Sequence, residues 1–365
     1  MIRFVCYICL LLCICLTAIA VFKSLAQDNV AEFKYKIAYA TYIGGNGGED
    51  LREVIPLPDG SVLVGGQTTS TDLPTTEGVV QPDYAGDDPA LGHPGIYGGD
   101  CYLVRLSRDG KQVLAATYFG GSKQERSVYG MALDRQGNII ITSATRSPDM
   151  PTTTGCFQPK YGGGASDWFV AKLSPDLREL VWCTYVGGSG DESPRGGLTL
   201  DEQDNVYVVG GTASSNFPTT PDAFQRNLKG AYDTALVKLR PDGSDFVFST
   251  LMGGSGDDST IMGARVDESG NIYVAGHTMS ADLPVTADAP QSKHGGESDC
   301  FLAKFSSDGS RLIYSTYLGG AGNEFAEHQP CLAPDGTLIL TGVTASPDFP
   351  ITEEAFQRVL KGKTD

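Results

Sequence analysis

Tyr185-Val186-Gly187-Gly188 stands 66 residues before Leu251-Met252-Gly253-Gly254, which stands 66 before Tyr317-Leu318-Gly319-Gly320. Tyr118-Phe119-Gly120-Gly121 and Tyr42-Ile43-Gly44-Gly45 extend the series upstream, so the first glycines fall at 44, 120, 187, 253 and 319. A fixed period of this size marks identical supersecondary units that stack or close into a ring. Repeats start near residues 37, 113, 180, 246 and 312, with the last one incomplete. Each reads outward from its glycine pair as two hairpins. In the fourth, 263–267 and 271–278 flank the turn Glu268-Ser269-Gly270, and 299–305 and 312–318 flank Ser307-Asp308-Gly309. β-branched and aromatic residues around Gly-bearing turns are the mark of antiparallel pairing. Two hairpins give four strands per unit.

Between the hairpins a loop recurs: Asp72-Leu73-Pro74, Asp149-Met150-Pro151, Asn216-Phe217-Pro218, Asp282-Leu283-Pro284 and Asp348-Phe349-Pro350. Thr220-Pro221-Asp222 carries an N-cap, a proline suited to the first helical position and an acid for the positive helix end, so a brief helix is expected there. Phe157, Phe224 and Phe356 follow at one repeat position and read as core plugs. Four-stranded antiparallel sheets at fixed period specify an all-β fold, a β-propeller of four-stranded blades. Lys36–Ile43 matches the last strand of a unit, and Asp365 matches Asp299, which opens a third strand; the count of 19 strands is read as a truncation.

The repeat Tyr-x-Gly-Gly-x-Gly-Asp-Asp, Val-Asp-x-x-Gly-Asn-x-Tyr-Val-x-Gly-x-Thr, Phe-Pro-Thr-Thr, Ala-Phe-Gln, Asp-x-x-x-x-Lys-Leu-x-x-Asp-Gly resembles the SBBP (predicted seven-bladed β-propeller) repeat of bacterial exported proteins. The resemblance covers about residues 37–365. It implies a propeller in an extracytoplasmic setting and brings no catalytic residues with it. Five copies depart from the seven of the family's name.

The first 26 residues differ from the rest: Arg3, an apolar run from Phe4 to Phe22 broken by Thr17, then Ser24-Leu25-Ala26. This pattern is expected to be a signal peptide cleaved before Gln27, with an uncleaved N-terminal anchor as the alternative. Both place residues 27–365 outside the cytoplasm, secreted or at the cell surface or in the periplasm, with membrane contact only through that anchor. A net charge of −17 repels phosphate backbones and argues against nucleic acid. Outside the leader the cysteines number five, Cys101, Cys156, Cys183, Cys300 and Cys331, an odd set; Cys156 and Cys183 stand where other units carry Ala or Ser, Cys101 and Cys300 share one repeat position in different units, and all five are read as buried and unpaired.

An acid stands five residues after each first glycine: Glu49, Glu125, Glu192, Asp258 and Glu324. On one face of a ring they form a crown able to take a cation, calcium by its oxygen-only chemistry. The competing reading has each acid fastening its own glycine loop. The first unit carries an insertion around Pro82–Gly99, with Asp87, Asp88, His93 and Tyr97 as candidate ligand contacts. Four histidines at unmatched positions and no nucleophile or phosphate-loop motif leave catalysis little support. The function expected is a non-catalytic binding or scaffold module for a protein or carbohydrate. A carbohydrate-active hydrolase or lyase with pore-face carboxylates, and a purely structural surface repeat, stay open as alternatives.

Overall fold

The computed structural model describes residues 37–87, 98–193, 197–259, 263–326 and 330–365. The architecture below belongs to the unit Thr41–Asp365. Its first sheet runs β1 (Glu49–Pro56), β2 (Val62–Thr68), β3 (Asp100–Leu106), β4 (Val113–Phe119), each strand antiparallel to the last. The second sheet repeats the order with β5 (Gly130–Leu133), β6 (Ile139–Thr145), β7 (Asp167–Leu173) and β8 (Leu180–Val186).

In the third and fourth sheets the innermost strand comes in two pieces. The third holds β9 (Glu192–Ser193), β10 (Leu198–Leu200), β11 (Val206–Thr212), β12 (Asp233–Leu239) and β13 (Phe246–Met252). The fourth holds β14 (Asp258–Ser259), β15 (Ala264–Val266), β16 (Ile272–Thr278), β17 (Asp299–Phe305) and β18 (Leu312–Leu318). A fifth unit has short pieces: β19 (Glu324–Ala326) pairs β22 (Gly342–Thr344), and β20 (Cys331–Leu332) pairs β21 (Leu338–Ile339). Asp365 exchanges backbone bonds with Thr344 at 2.9 and 3.0 Å, the pairing that opens the third strand of every other sheet.

The first strands stand side by side, β1 against β5, β5 against β10 and β10 against β15. Sheets that meander outward from neighbouring inner strands are the blades of a β-propeller. Core clusters form between the blades: Leu63, Leu103 and Phe119 of the first blade pack with Ile141, Phe169 and Tyr185 of the second. The same happens between second and third, and between third and fourth.

Four expectations need correcting. Residues 37–48 form no strand, and among the described residues no third strand pairs with them. No helix follows Thr220, nor stands anywhere among the described residues. A single turn closes there (Ala223 N–H to Thr220 O, 3.2 Å), and Phe224 N–H then bonds Gly309 O of the next blade, which ends any helical run. The cysteines are unpaired, but Cys156 is only half-buried and Cys331 is exposed on the short strand β20. Phe157 and Phe224 plug the next blade, Phe157 tilted against Phe246 and Phe224 edge-on to Phe305, at centroid distances of 4.0 and 5.8 Å. Phe356 is fully exposed.

Candidate functional site

Each repeated acid sits at the top of its own blade's innermost strand. Glu192 Oε1 accepts Thr212 Oγ1–H at 2.7 Å and Ser214 Oγ–H at 2.5 Å, while Oε2 accepts the Gly188 N–H at 3.2 Å. Glu125 repeats this with Thr145, Ser147 and Gly121, and Glu324 with Thr344, Ser346 and Gly320. Asp258 takes Thr278, Ser280 and Gly254, and the half-buried Glu49 takes Thr68 and Ser70. These bonds supply the geometry of the fastener reading. Among the described residues no group of three or more His, Cys, Asp or Glu side chains is placed to hold a metal ion.

A second acid meets four of these, Glu125, Glu192, Asp258 and Glu324, from the blade before: Asp100, Asp167, Asp233 and Asp299, the first residues of β3, β7, β12 and β17. The spacing of the sequence does not reveal this pairing, since the partners lie about 25 residues apart on different sheets. A methyl on Gly187 would lie 2.5 Å from Asp167 Oδ1 and 2.6 Å from Glu192 Oε2, so the two carboxyls face each other across that bare α-carbon. A recurring glutamine clamps the Asp from behind. Gln81 donates to Asp100 Oδ2 at 2.7 Å, Gln225 to Asp233 at 2.6 Å and Gln291 to Asp299 at 2.9 Å. Its carbonyl accepts the first glycine's N–H, as in Gln81 with Gly120 at 2.9 Å. Oδ1 of Asp100, Asp167 and Asp299 is buried without a hydrogen-bond donor.

Desolvation dominates the titration of these pairs. It raises Asp100 to about 7, and Glu125 and Asp167 to about 8. Glu192, Asp233, Asp258 and Asp299 are raised for the same leading reason.

The described part of the first-unit insertion folds onto the first of these junctions. Tyr84 packs edge-on against Tyr118 at 5.9 Å, and Ala85 N–H bonds Asp100 Oδ2 at 2.7 Å. Asp87 lies within 3.2 Å of where a Gly98 side chain would start, next to Gln124, and its charge raises Asp100 further. The structure thus brings Asp87 to the junction that holds Glu125. Asp88, His93 and Tyr97 lie outside the described residues.

A different cavity opens where the inner strands converge. It measures about 440 Å³ and is lined by Arg52 and Glu53 of β1, Tyr129 beside β5, Gly197 and Thr199 around β10, and Arg265 of β15. The Arg52 guanidinium lies 5.1 Å from the Tyr129 ring centre and binds Asp50 at 2.7 Å. Burial pushes Glu53 up to about 7. Pair register shows what is unusual here. Arg265 opposes Tyr273, and the same position in the other units holds Ile55, Ala132, Thr199 and Cys331. Glu53 stands where the second to fourth units have Gly130, Gly197 and Gly263. Sequence repetition pointed to the acids at the junctions. The chamber's charges are departures from the repeat, visible only once strand register is known.

The fold and these junctions define the class: an all-β repeat protein of four-stranded antiparallel blades, of the β-propeller kind. No protein-family model matches the chain, and no curated protein matches it. Among solved structures it is similar to a europium-containing methanol dehydrogenase, at 9% identity and a TM-score of 0.30, over 80% of this chain and 64% of that one. A likeness at that level carries no argument about activity.

Proposed function

We propose that this protein is an extracytoplasmic binding module, a β-propeller built from SBBP-type repeats, that holds a small hydroxylated carboxylate in its axial chamber. The observation that carries the proposal is the one-off charge set on the chamber wall. Repetition serves the scaffold, whereas a single ligand needs groups that occur once. Among the described residues the Arg265 side chain has no ion pair and the Glu53 side chain neither an ion pair nor a hydrogen bond, so both are open to a guest. In a chain of net charge −17, two arginines at one cavity favour an anion. A guanidinium grips a carboxylate in two parallel bonds, and Glu53, pushed up to about 7, is present in both forms near neutrality and accepts or donates a hydroxyl hydrogen bond. The volume lies in the range of small-molecule sites. Among the described residues Glu53 is the one carboxyl on this wall, which favours binding over the two-carboxyl chemistry of glycoside cleavage.

The test is calorimetric titration of galacturonate, with galactose as the neutral control. Galacturonate is expected to bind and galactose not to. Arg265→Gln should weaken the uronate by about tenfold or more, the weight of a charge-assisted bond. Equal behaviour of acid and neutral sugar, or an indifferent Arg265→Gln, overturns the proposal.

A further inference from the structure

We propose that the Asp100–Glu125 and Asp167–Glu192 junctions each hold one proton shared between the two carboxyls at neutral pH, so that neighbouring blades are clasped by an acid–carboxylate hydrogen bond that opens in alkali.

The geometry leaves few other occupants. On Glu192 every lone-pair direction but one is taken by a donor, and on Asp167 the donors reach Oδ2 alone. Glu192 is filled by Thr212, Ser214 and the Gly188 N–H, and Asp167 Oδ2 by the Gly162 N–H at 2.5 Å. What remains is Asp167 Oδ1, buried and without a donor, facing Glu192 Oε2 across Gly187. Two ionised oxygens cannot stay in that position unpaired, whereas one hydrogen between them satisfies both. Calcium needs six to eight oxygens, and here only two are open. The first junction has the same parts, with Ala85 N–H in the place of Gly162.

The surrounding groups separate the junctions. The first faces Asp87, Tyr84, Tyr118 and Cys101, with Cys183 and Tyr185 on the Glu125 side. The second faces Tyr161, Asp191 and, beyond the tyrosine, Arg146. Lys229 stands at the Asp233–Asp258 junction and His294 at Asp299–Glu324, each lowering its aspartate. Asp233 Oδ1 also has the Gly230 N–H at 3.1 Å. The third junction therefore has Lys229 and the fourth the His294 imidazole acting on its aspartate, whereas among the described residues no basic side chain acts directly on Asp100 or Asp167.

The sign follows from linkage. The folded values lie above the unfolded ones, so the junctions' contribution is complete below pH about 4 and is lost as pH rises through about 7 to 8. At pH 6 an unfolded pair is ionised and a folded pair keeps its proton, so unfolding releases it.

Proton release on unfolding the full chain at pH 6, measured by calorimetry in buffers of different ionisation enthalpy, tests this directly. Asp167→Asn and Glu192→Gln should each release about one proton fewer than the parent, and the double variant no fewer than either single. The exposed Asp176→Asn, whose carboxyl is held low by Ser174, should leave release unchanged. Release equal to the parent in both junction variants overturns the proposal. Should neither variant fold, isotope-edited infrared spectra of the parent decide: a buried carboxylic-acid band present at pH 6 and lost above about pH 8 supports the shared proton, and its absence at pH 6 refutes it. Calcium restoring stability at pH 9 while removing the proton release would make these cation sites, and the proposal would fall.

Discussion

At Gly187 a hydrogen atom is the side chain because two carboxyls occupy the space of a methyl. No positive φ is involved; the demand is one of close approach. Gly188 is required for a similar reason, since a methyl there would meet Ser214 Cβ at 2.5 Å and Asn216 Oδ1 at 2.7 Å. Gly155 is the opposite case: its φ is +83° and nothing lies within 4 Å of a built methyl. Gly187→Ala should push Asp167 and Glu192 apart, stranding a buried acceptor, and cost about 3 kcal/mol. Gly155→Ala should cost about 1 kcal/mol through backbone strain alone. Urea unfolding of both variants checks the ranking, and equal costs would refute the account of Gly187. The repeated glycine was plain in the sequence. Its cause was not, because Asp167 comes from the preceding blade and pairs with Glu192 only after two sheets have docked.

At the scale of elements, one blade junction exchanges volume with its siblings. The turn between third and fourth strands carries a glycine in the left-handed region at Gly110, Gly243 and Gly309, with φ of 69°, 67° and 69°. In the second blade that position is Leu177, at φ 62°, fully buried and bonded through its carbonyl to Val80 N–H at 2.9 Å. Register explains the substitution. Trp182 and Phe248 fill the space next to Gly243 and Gly309, and the residue at their position in the first blade is Ala115. A small residue on one blade meets a large one on the next. Leu177→Gly alone should therefore lose about 2 kcal/mol, the cavity cost less the relieved backbone strain. Ala115→Trp alone should overpack and cost about 2 kcal/mol. Together they rebuild the Trp182–Gly243 arrangement, so the double variant should recover most of both losses in a urea double-mutant cycle. Additive losses would show that the two positions do not share one space. The strands and turns of each blade were legible from period and turn residues. This compensation was hidden, because alanine and leucine fall in different repeats and neither breaks the apolar pattern by itself.

Across the whole molecule the same construction gives unequal stability along the chain. A repeat array is held together by neighbour-to-neighbour interfaces. The third blade is buried against both neighbours, and β11 is buried at every position. The fifth unit packs against the fourth through β19, yet Ile339 is half-exposed and Val359 and Phe356 lie open. What fastens it is the repeated carboxyl: Glu324 holds Thr344 and Ser346 at 2.7 and 2.5 Å. Backbone protection should therefore grade within the unit. Amides of 331–339 should exchange about a thousandfold faster than those of 206–212, an opening difference of about 4 kcal/mol, with 342–344 between them. Glu324→Gln should bring 342–344 to the rate of 331–339 while leaving β11 unmoved, because the neutral amide keeps one acceptor where the carboxylate offered two. Hydrogen exchange read by mass spectrometry resolves these peptides. Uniform protection through the fifth unit would refute the assignment of Glu324 as its anchor. It would also weaken the argument that each repeated acid locks its own blade while its opposite number locks the next.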